Sequence, residues 1–386
     1  MKAAFNSLPY GSVTLLPGLF QNRFNLNRRY LLSLKSENLL QNFYLEAGLW
    51  SPPSQPKDIH WGWESPTSQV RGHFLGHWLS AAATIWATTG DAEIKGKADY
   101  IVTELARCQQ ENGGEWVGSI PEKYLDWTAR HKSVWAPQYI LHKIMMGLYD
   151  MVDMVVVGGN AQALEVLTRQ ARWFYRWTGQ LSLDHLDDMF DGYETGGMLE
   201  MWANLYGLTG DKEHLALIHR YDRRRLFDAL IAGKDVLTNM HANTTIPEAQ
   251  GAARAWEVTG EERYRQVAQA YWRLGVTDRG YYATGAQTNG EIWSPPGQLS
   301  ARLGHMNQEH CTVYNMMRLA EYLAHWSGDV AYSDYWERNL YNGILAQQHP
   351  DTGMIAYYLP LSSGSIKRWA RPRMISGAAM ERWCKP

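Results

Sequence analysis

The sequence predicts an all-α protein of stacked helical hairpins, closing into an (α/α) toroid whose site is built from loops. Three observations predict it. The first is periodicity. Val313, Met316, Met317, Ala320, Leu323 and Ala324 follow the i, i+3, i+4, i+7 spacing of a half-buried helix. Comparable patterns cover 28–47, 71–88, 92–109, 137–154, 161–177, 197–208, 212–230, 247–258, 262–274 and 331–347. The second is punctuation. Four helices end alike, in "WATTGD" (86–91), "YGLTGD" (206–211), "WEVTGE" (256–261) and "HWSGD" (325–329). Glycine just past a helix end supplies a left-handed cap, and the acidic residue after it suits the N-cap of the next helix. "VGGN" at 157–160 is a weaker fifth copy. Units of roughly 50–60 residues with this grammar are helical hairpins, in either an open solenoid or a toroid. The third is the set of long irregular segments at 48–69, 111–136 and 276–306, rich in Trp, Pro, Gly and His. Such loops on a helical scaffold are where sites form, which favours the toroid with a loop-lined cleft. No linker divides the chain, so 1–386 reads as a single catalytic domain.

Composition narrows the function. The 386 residues are 45% hydrophobic and 20% charged, enough for a packed core. A net charge of −2 gives no electrostatic reason to expect nucleic acid or an anionic membrane. No apolar run reaches the roughly 18 residues of a membrane span, and no signal-peptide h-region is visible. Three cysteines, Cys108, Cys311 and Cys384, make no disulfide framework, so a reducing, cytoplasmic location is expected. Eighteen Trp and 22 Tyr against 8 Phe supply flat faces with polar edges, suited to sugar rings or to ordinary groove packing.

Glu309 and Cys311 are the first candidates for chemistry. Residues i and i+2 diverge on a helix but share a face in extended chain. The helical pattern begins after Cys311, which places both in the lead-in to a helix N-terminus, where the dipole favours anions. A carboxylate beside a thiolate suits zinc, yet two ligands are too few, and a buried structural cysteine is the competing reading. His73 and His77 lie four apart in "HFLGH", which lacks the glutamate of a zinc-protease helix. His142 and His241 stand singly, as core histidines or as site residues. Carboxylates cluster in "DHLDDMFDGYE" (184–194), and Glu291 stands alone in "NGEIW", as a general acid or as a surface residue.

Seven collinear stretches together resemble the glycoside hydrolase family 127 β-L-arabinofuranosidases. They are "RGHFLGHWLSAAATIWATTGD" (71–91), "LHKIMMGLYD" (141–150), "YETGGMLEMWANLYGLTGD" (193–211), "HANTTIPEAQGAARAWEVTGE" (241–261), "GEIW" (290–293), "EHCTVYNMMRLAEYL" (309–323) and "YWERNLYNGILAQQHPDTG" (335–353). The resemblance implies an (α/α)6 barrel followed by β-sandwich domains. It further implies a zinc ion held by one Glu and three Cys, one of those cysteines being the nucleophile. Glu309 and Cys311 match the first two ligands, Glu291 the acid/base, and His142, His241 and Tyr357 the arabinose pocket. The implied reaction is retaining hydrolysis of an arabinofuranoside. A zinc-held thiolate attacks the anomeric carbon, and Glu291 protonates the leaving oxygen and then activates water.

One departure bears on activity. After "GSIKRW" the family pattern leads to a cysteine pair, whereas this chain reads "ARPRMISGAAMERWCKP". A shifted reading frame from Pro372 onward permits T-D-D-F-W-C-C-H-G-T-L-V-Q-A, with the pair encoded across codons 377–379. The tail 370–386 is therefore expected to be frame-shifted, the β-sandwich missing, Cys384 without a role, zinc binding weak or absent, and the chain inactive. Two other readings compete. One is an inverting glycosidase or lyase using two carboxylates such as Asp188 and Glu291; the other is a non-catalytic sugar-binding fragment.

Overall fold

The computed structural model describes residues 3–51, 60–153, 159–193 and 195–370, with the backbone of 374–375. Cys384 lies outside the described residues, as does the expected frame-shifted tail 370–386 apart from Ala370 and the backbone of 374–375. The chain divides into two units by its internal contacts, an N-terminal one built on Leu8–Thr195 and a C-terminal one built on Gly196–His349 and Met354–Ala370.

The N-terminal unit holds eight helices among its described residues: α1 (Leu19–Ser33), α2 (Ser36–Glu46), α3 (His73–Thr89), α4 (Ala92–Glu111), α5 (Lys123–Ala129), α6 (Pro137–Asp153), α7 (Ala161–Thr178) and α8 (Leu183–Gly192). Helices α3 and α6 are buried along nearly their whole length and pack on each other. Gly76 and Gly147 permit that approach: a Cβ on Gly76 would overlap the Lys143 carbonyl, and one on Gly147 the Gly76 carbonyl. Helix α4 buries one stripe, Ile94, Ala98, Ile101, Val102, Leu105 and Cys108, as a 3.6-residue period requires.

The C-terminal unit holds α9 (Met198–Thr209), α10 (Lys212–Arg220), α11 (Arg224–Ile231), α12 (Ala242–Thr259), α13 (Glu262–Trp272), α14 (His310–Ser327) and α15 (Val330–Asn339). Helix α12 is its buried centre, packed against α9, α13 and α14. Strands β2 (Thr288–Asn289) and β3 (Ile292–Trp293) form an antiparallel hairpin between α13 and α14. In the N-terminal unit, β1 (Trp61–Gly62) pairs in parallel with β4 (Met374–Ile375). Helices α13 and α15 each run on into π-helical turns, at Arg273–Thr277 and Leu340–Leu345.

The repeated punctuation does what the sequence requires of it. Gly90, Gly210, Gly260 and Gly328 all adopt the left-handed conformation, φ +67 to +75. Each donates its N–H four residues back at 2.8 Å, to the carbonyls of Trp86, Tyr206, Trp256 and Ala324. Asp91, Asp211 and Asp329 then cap the following helices through their side chains.

Other boundaries differ from the expectation. The run 28–47 is two helices, broken at Leu34 and Lys35, where Lys97 of α4 donates its ammonium to the carbonyls of Leu32 and Leu34. The run 212–230 is also two. At its break Asp222 is held by Arg263 at 2.8 Å, and Arg223 makes a buried bidentate pair with Glu248 at 2.9 and 3.0 Å. Helix α12 starts at Ala242, five residues before the expected 247. Segments α5 and α8 are helical where irregular chain and a carboxylate cluster were read. Among the described residues no helix is long and apolar enough to cross a membrane.

Candidate active site

Glu291 sits at the tip of the hairpin because β2 and β3 are joined by Gly290 and Glu291 alone. Both have positive φ, +61 and +69, the signature of a type I′ turn, whose twist matches that of the strands. Glycine adopts this conformation without strain; a glutamate there costs about 1 kcal/mol. The turn is clamped on both sides. Gly290 donates to the Met306 carbonyl at 2.9 Å, Ala242 donates to the Glu291 carbonyl at 2.8 Å, and Trp293 donates to the Met240 carbonyl at 3.0 Å. Trp293 anchors the hairpin in the core: fully buried, it donates from Nε1 to the Tyr271 hydroxyl at 3.2 Å.

The carboxylate this turn presents is surrounded by hydrogen-bonding partners. His241 Nε2 lies 3.2 Å from Oε2, and the Tyr357 hydroxyl donates to Oε1. Tyr358 stands beside Tyr357 and acts on the same carboxylate. The bond with His241 is the main influence holding the Glu291 carboxyl below its ordinary range, against burial, which pushes the other way; the two phenols add to the lowering. Burial and the surrounding negative charge push both phenols up, so they remain protonated donors.

Glu309 and Cys311 meet this group from another direction. Helix α14 begins at His310, so Cys311 lies inside its first turn rather than in the extended lead-in, and Glu309 is the N-cap residue. Both are buried. Glu309 accepts from the Thr312 hydroxyl at 2.6 Å, and its backbone carbonyl accepts from Val313 N at 3.1 Å. A helix N-terminus favours negative side chains at this point. Glu309, Cys311 and Glu291, where ionised, push the Tyr357 phenol up, in that order after burial.

The scaffold beneath is a set of amide contacts. Gln347, fully buried, donates to the Gln308 carbonyl at 2.8 Å and to the Tyr357 carbonyl at 3.4 Å, while its Oε1 meets His310 Nδ1. His310 N donates to the Tyr357 carbonyl at 3.1 Å. Gln308, at φ +49, donates to the carbonyl of Asn342 in the second π-helical turn at 3.1 Å. The π-turn thus braces the start of α14, as such irregularities often do at sites.

Of the residues expected from the sequence, His241, Glu291, Glu309, Cys311 and Tyr357 all belong to the C-terminal unit and are linked by these contacts. His142 lies in the N-terminal unit, buried on α6, with its Nδ1 3.2 Å from Lys143 Nζ. Asp188 stands half-exposed on α8, 3.2 Å from His131. Cys108 is buried on α4, its thiol pushed up to about 12 by desolvation, which makes it unreactive. Tyr358, Gln347 and His310 are additions that sequence reasoning did not single out. In an extended strand, neighbours such as Tyr357 and Tyr358 face opposite sides. Here the chain bends at 357, and the two rings stand edge to face at 4.7 Å, both reaching Glu291.

The described residues do not make a zinc site. Glu309 and Cys311 give two donors, and among the described residues no group of three or more His, Cys, Asp or Glu side chains comes together. Zinc takes four, or three and a water.

Comparison with known proteins places this arrangement. The model of the β-L-arabinofuranosidase GH127 catalytic domain matches residues 12–386. The chain belongs to the GH127 family. A non-reducing end β-L-arabinofuranosidase of Bifidobacterium longum subsp. longum is 27% identical over 320 residues, covering 70% of this chain and 45% of that protein. The crystal structure of a GH127 β-L-arabinofuranosidase from Geobacillus stearothermophilus T6 superposes with a TM-score of 0.64 at 18% identity, over 91% of this chain and 58% of that one. A second GH127 β-arabinofuranosidase gives 0.67 at 19% identity, over 97% and 60%. These structures share the GH127 fold with this all-α chain, which spans about half the length of the family members it matches. The match includes the hairpin that carries Glu291 and the start of α14.

Proposed function

We propose that this chain carries the sugar-binding and proton-transfer part of a retaining β-L-arabinofuranosidase site, acting on an arabinofuranoside at a non-reducing end. The observation that supports it best is the Glu291 carboxylate, presented on a strained turn and held there by His241 and the Tyr357 hydroxyl. A general acid must carry a proton when the glycosidic bond breaks, yet Glu291 is held toward its ionised form. His241 resolves this. The proton held between Oε2 and Nε2 passes to the departing oxygen. The ionised carboxylate left behind is the base that then takes a proton from water. Tyr357 and Tyr358 fix the orientation of the carboxylate throughout.

In the family this resemblance implies, the nucleophile comes from a cysteine pair that matches no described residue, and the donor set here is too small for zinc. The chain as it stands is proposed to bind zinc weakly and to turn over glycosides slowly or not at all, since loss of a nucleophile removes many orders of magnitude in rate. Metal analysis after dialysis is expected to find well under one equivalent of zinc; one tightly retained equivalent would contradict this.

Sugar recognition is tested by calorimetric titration with methyl β-L-arabinofuranoside, its α-anomer and the pyranose isomer. The β-furanoside is expected to bind at one site, about tenfold or more tighter than the other two, and His241→Ala to abolish that preference. Equal affinity for all three glycosides would rule the reading out.

A further inference from the structure

Next to the Glu291 tyrosines lies a cavity of about 600 Å³, lined by Tyr357 and Tyr358 on one side and by His305, Ser365, Ile366 and Arg368 on another. Its walls are tied together by backbone bonds. Leu359 N donates to the Asn307 carbonyl at 3.0 Å, Leu361 N to the Gly304 carbonyl at 3.1 Å, and Ala370 N to the Ile355 carbonyl at 2.8 Å. His305 Nδ1 lies 2.9 Å from the Ser365 hydroxyl, which also meets Ser362 at 2.5 Å. The space is therefore preformed, and its size is that of a small-molecule subsite.

Arg368 sets this cavity apart. In the C-terminal unit Arg223 is matched with Glu248, Arg263 with Asp222, Arg279 with Asp235 and Arg318 with Glu200. Arg302, Arg338 and Arg368 show no such pair among the described residues, and of these three only Arg368 lines the cavity. Its neighbour Lys367 donates to the Ala346 carbonyl at 2.7 Å and lies over the Trp369 ring. Arg368 is exposed and has no carboxylate partner among the described residues, and none of the residues lining the cavity is acidic. A guanidinium is a planar fork that pairs two-to-two with a carboxylate, which an ammonium does not.

We propose that this cavity is the leaving-group subsite and that Arg368 makes it select an aglycone bearing a carboxylate. The inference rests on the reading of Glu291 as proton donor. That proton goes to the glycosidic oxygen, the atom joining sugar to leaving group, so the leaving group lies in the space bordering this carboxylate. Tyr357 and Tyr358 are the shared wall between the two. The cavity is thus placed to receive the aglycone, and Arg368 supplies a permanent cation there, which distinguishes an anion from a neutral group of the same shape.

The test uses two glycosides that differ in one group, 4-carboxyphenyl and 4-carbamoylphenyl β-L-arabinofuranoside, titrated calorimetrically into the purified chain and its Arg368→Gln variant. Arg368 is exposed, so the variant is expected to fold; circular dichroism checks this. The chain is expected to bind the carboxylate about tenfold or more tighter than the amide, the size of one charge-assisted hydrogen bond. The variant is expected to bind the two equally. Equal affinities in the unsubstituted chain, or a preference that survives Arg368→Gln, would overturn the subsite while leaving the proton-donor reading intact. Failure of the chain to bind even the amide glycoside would overturn both.

Discussion

Glu291 is the proposed acid/base, and its protonation is the most accessible quantity at the scale of single residues. With His241 as the main influence, the carboxyl is expected to titrate below the ordinary value of about 4.3. The sign follows from linkage. A depressed carboxyl contributes stability above its unfolded pKa, and that contribution is lost as pH falls through the folded value. Carbon-13 NMR of glutamate-labelled protein, with Glu291→Gln for assignment, reads the titration directly. His241→Gln is expected to move it upward, and Tyr357→Phe or Tyr358→Phe to move it upward by less; a midpoint unchanged by His241→Gln would remove the pairing. Residue types and spacing raised Glu291, His241, Glu309 and Cys311 as candidates beside structural alternatives; the family resemblance selected among those and added Tyr357. They did not show Tyr358, because its role depends on a bend in the chain, nor Gln347, whose contacts join segments about 10 to 40 residues apart.

Elements place those residues, and the hairpin does so at the expense of strain. Glu291 occupies a left-handed position that glycine fills without penalty. Glu291→Gly and Glu291→Ala both delete the carboxylate, so their difference isolates the backbone. The glycine variant is expected to be the more stable by about 1 kcal/mol in urea denaturation. Equal stabilities would mean that the turn relaxes without penalty and that the strain is not built in. Helices, caps and the four left-handed glycines were legible because each depends on residues within one turn of each other. The breaks at Leu34 and at Asp222 were not, since they are fixed by Lys97, Arg263 and Glu248 reaching in from other helices. Helix α14 begins before Cys311 because the Tyr357 carbonyl, distant in sequence, accepts the first helical N–H.

At the scale of the whole molecule, the GH127 assignment came from seven ordered stretches, and it extends along the chain from residue 12. Four of those stretches build or brace the candidate site: the start of α12 with His241, the hairpin with Glu291, the start of α14 with Glu309 and Cys311, and the π-turn at Leu340–Leu345. The central claim is that these segments hold a β-L-arabinofuranoside with its glycosidic oxygen at Glu291. The most direct measurement is a crystal structure of the chain with methyl β-L-arabinofuranoside bound. The account predicts a furanose ring whose glycosidic oxygen lies about 3 Å from a Glu291 carboxylate oxygen, with Tyr357 and His241 still on that carboxylate. A sugar bound elsewhere at saturating concentration, or one that turns its glycosidic oxygen away from Glu291, would contradict it.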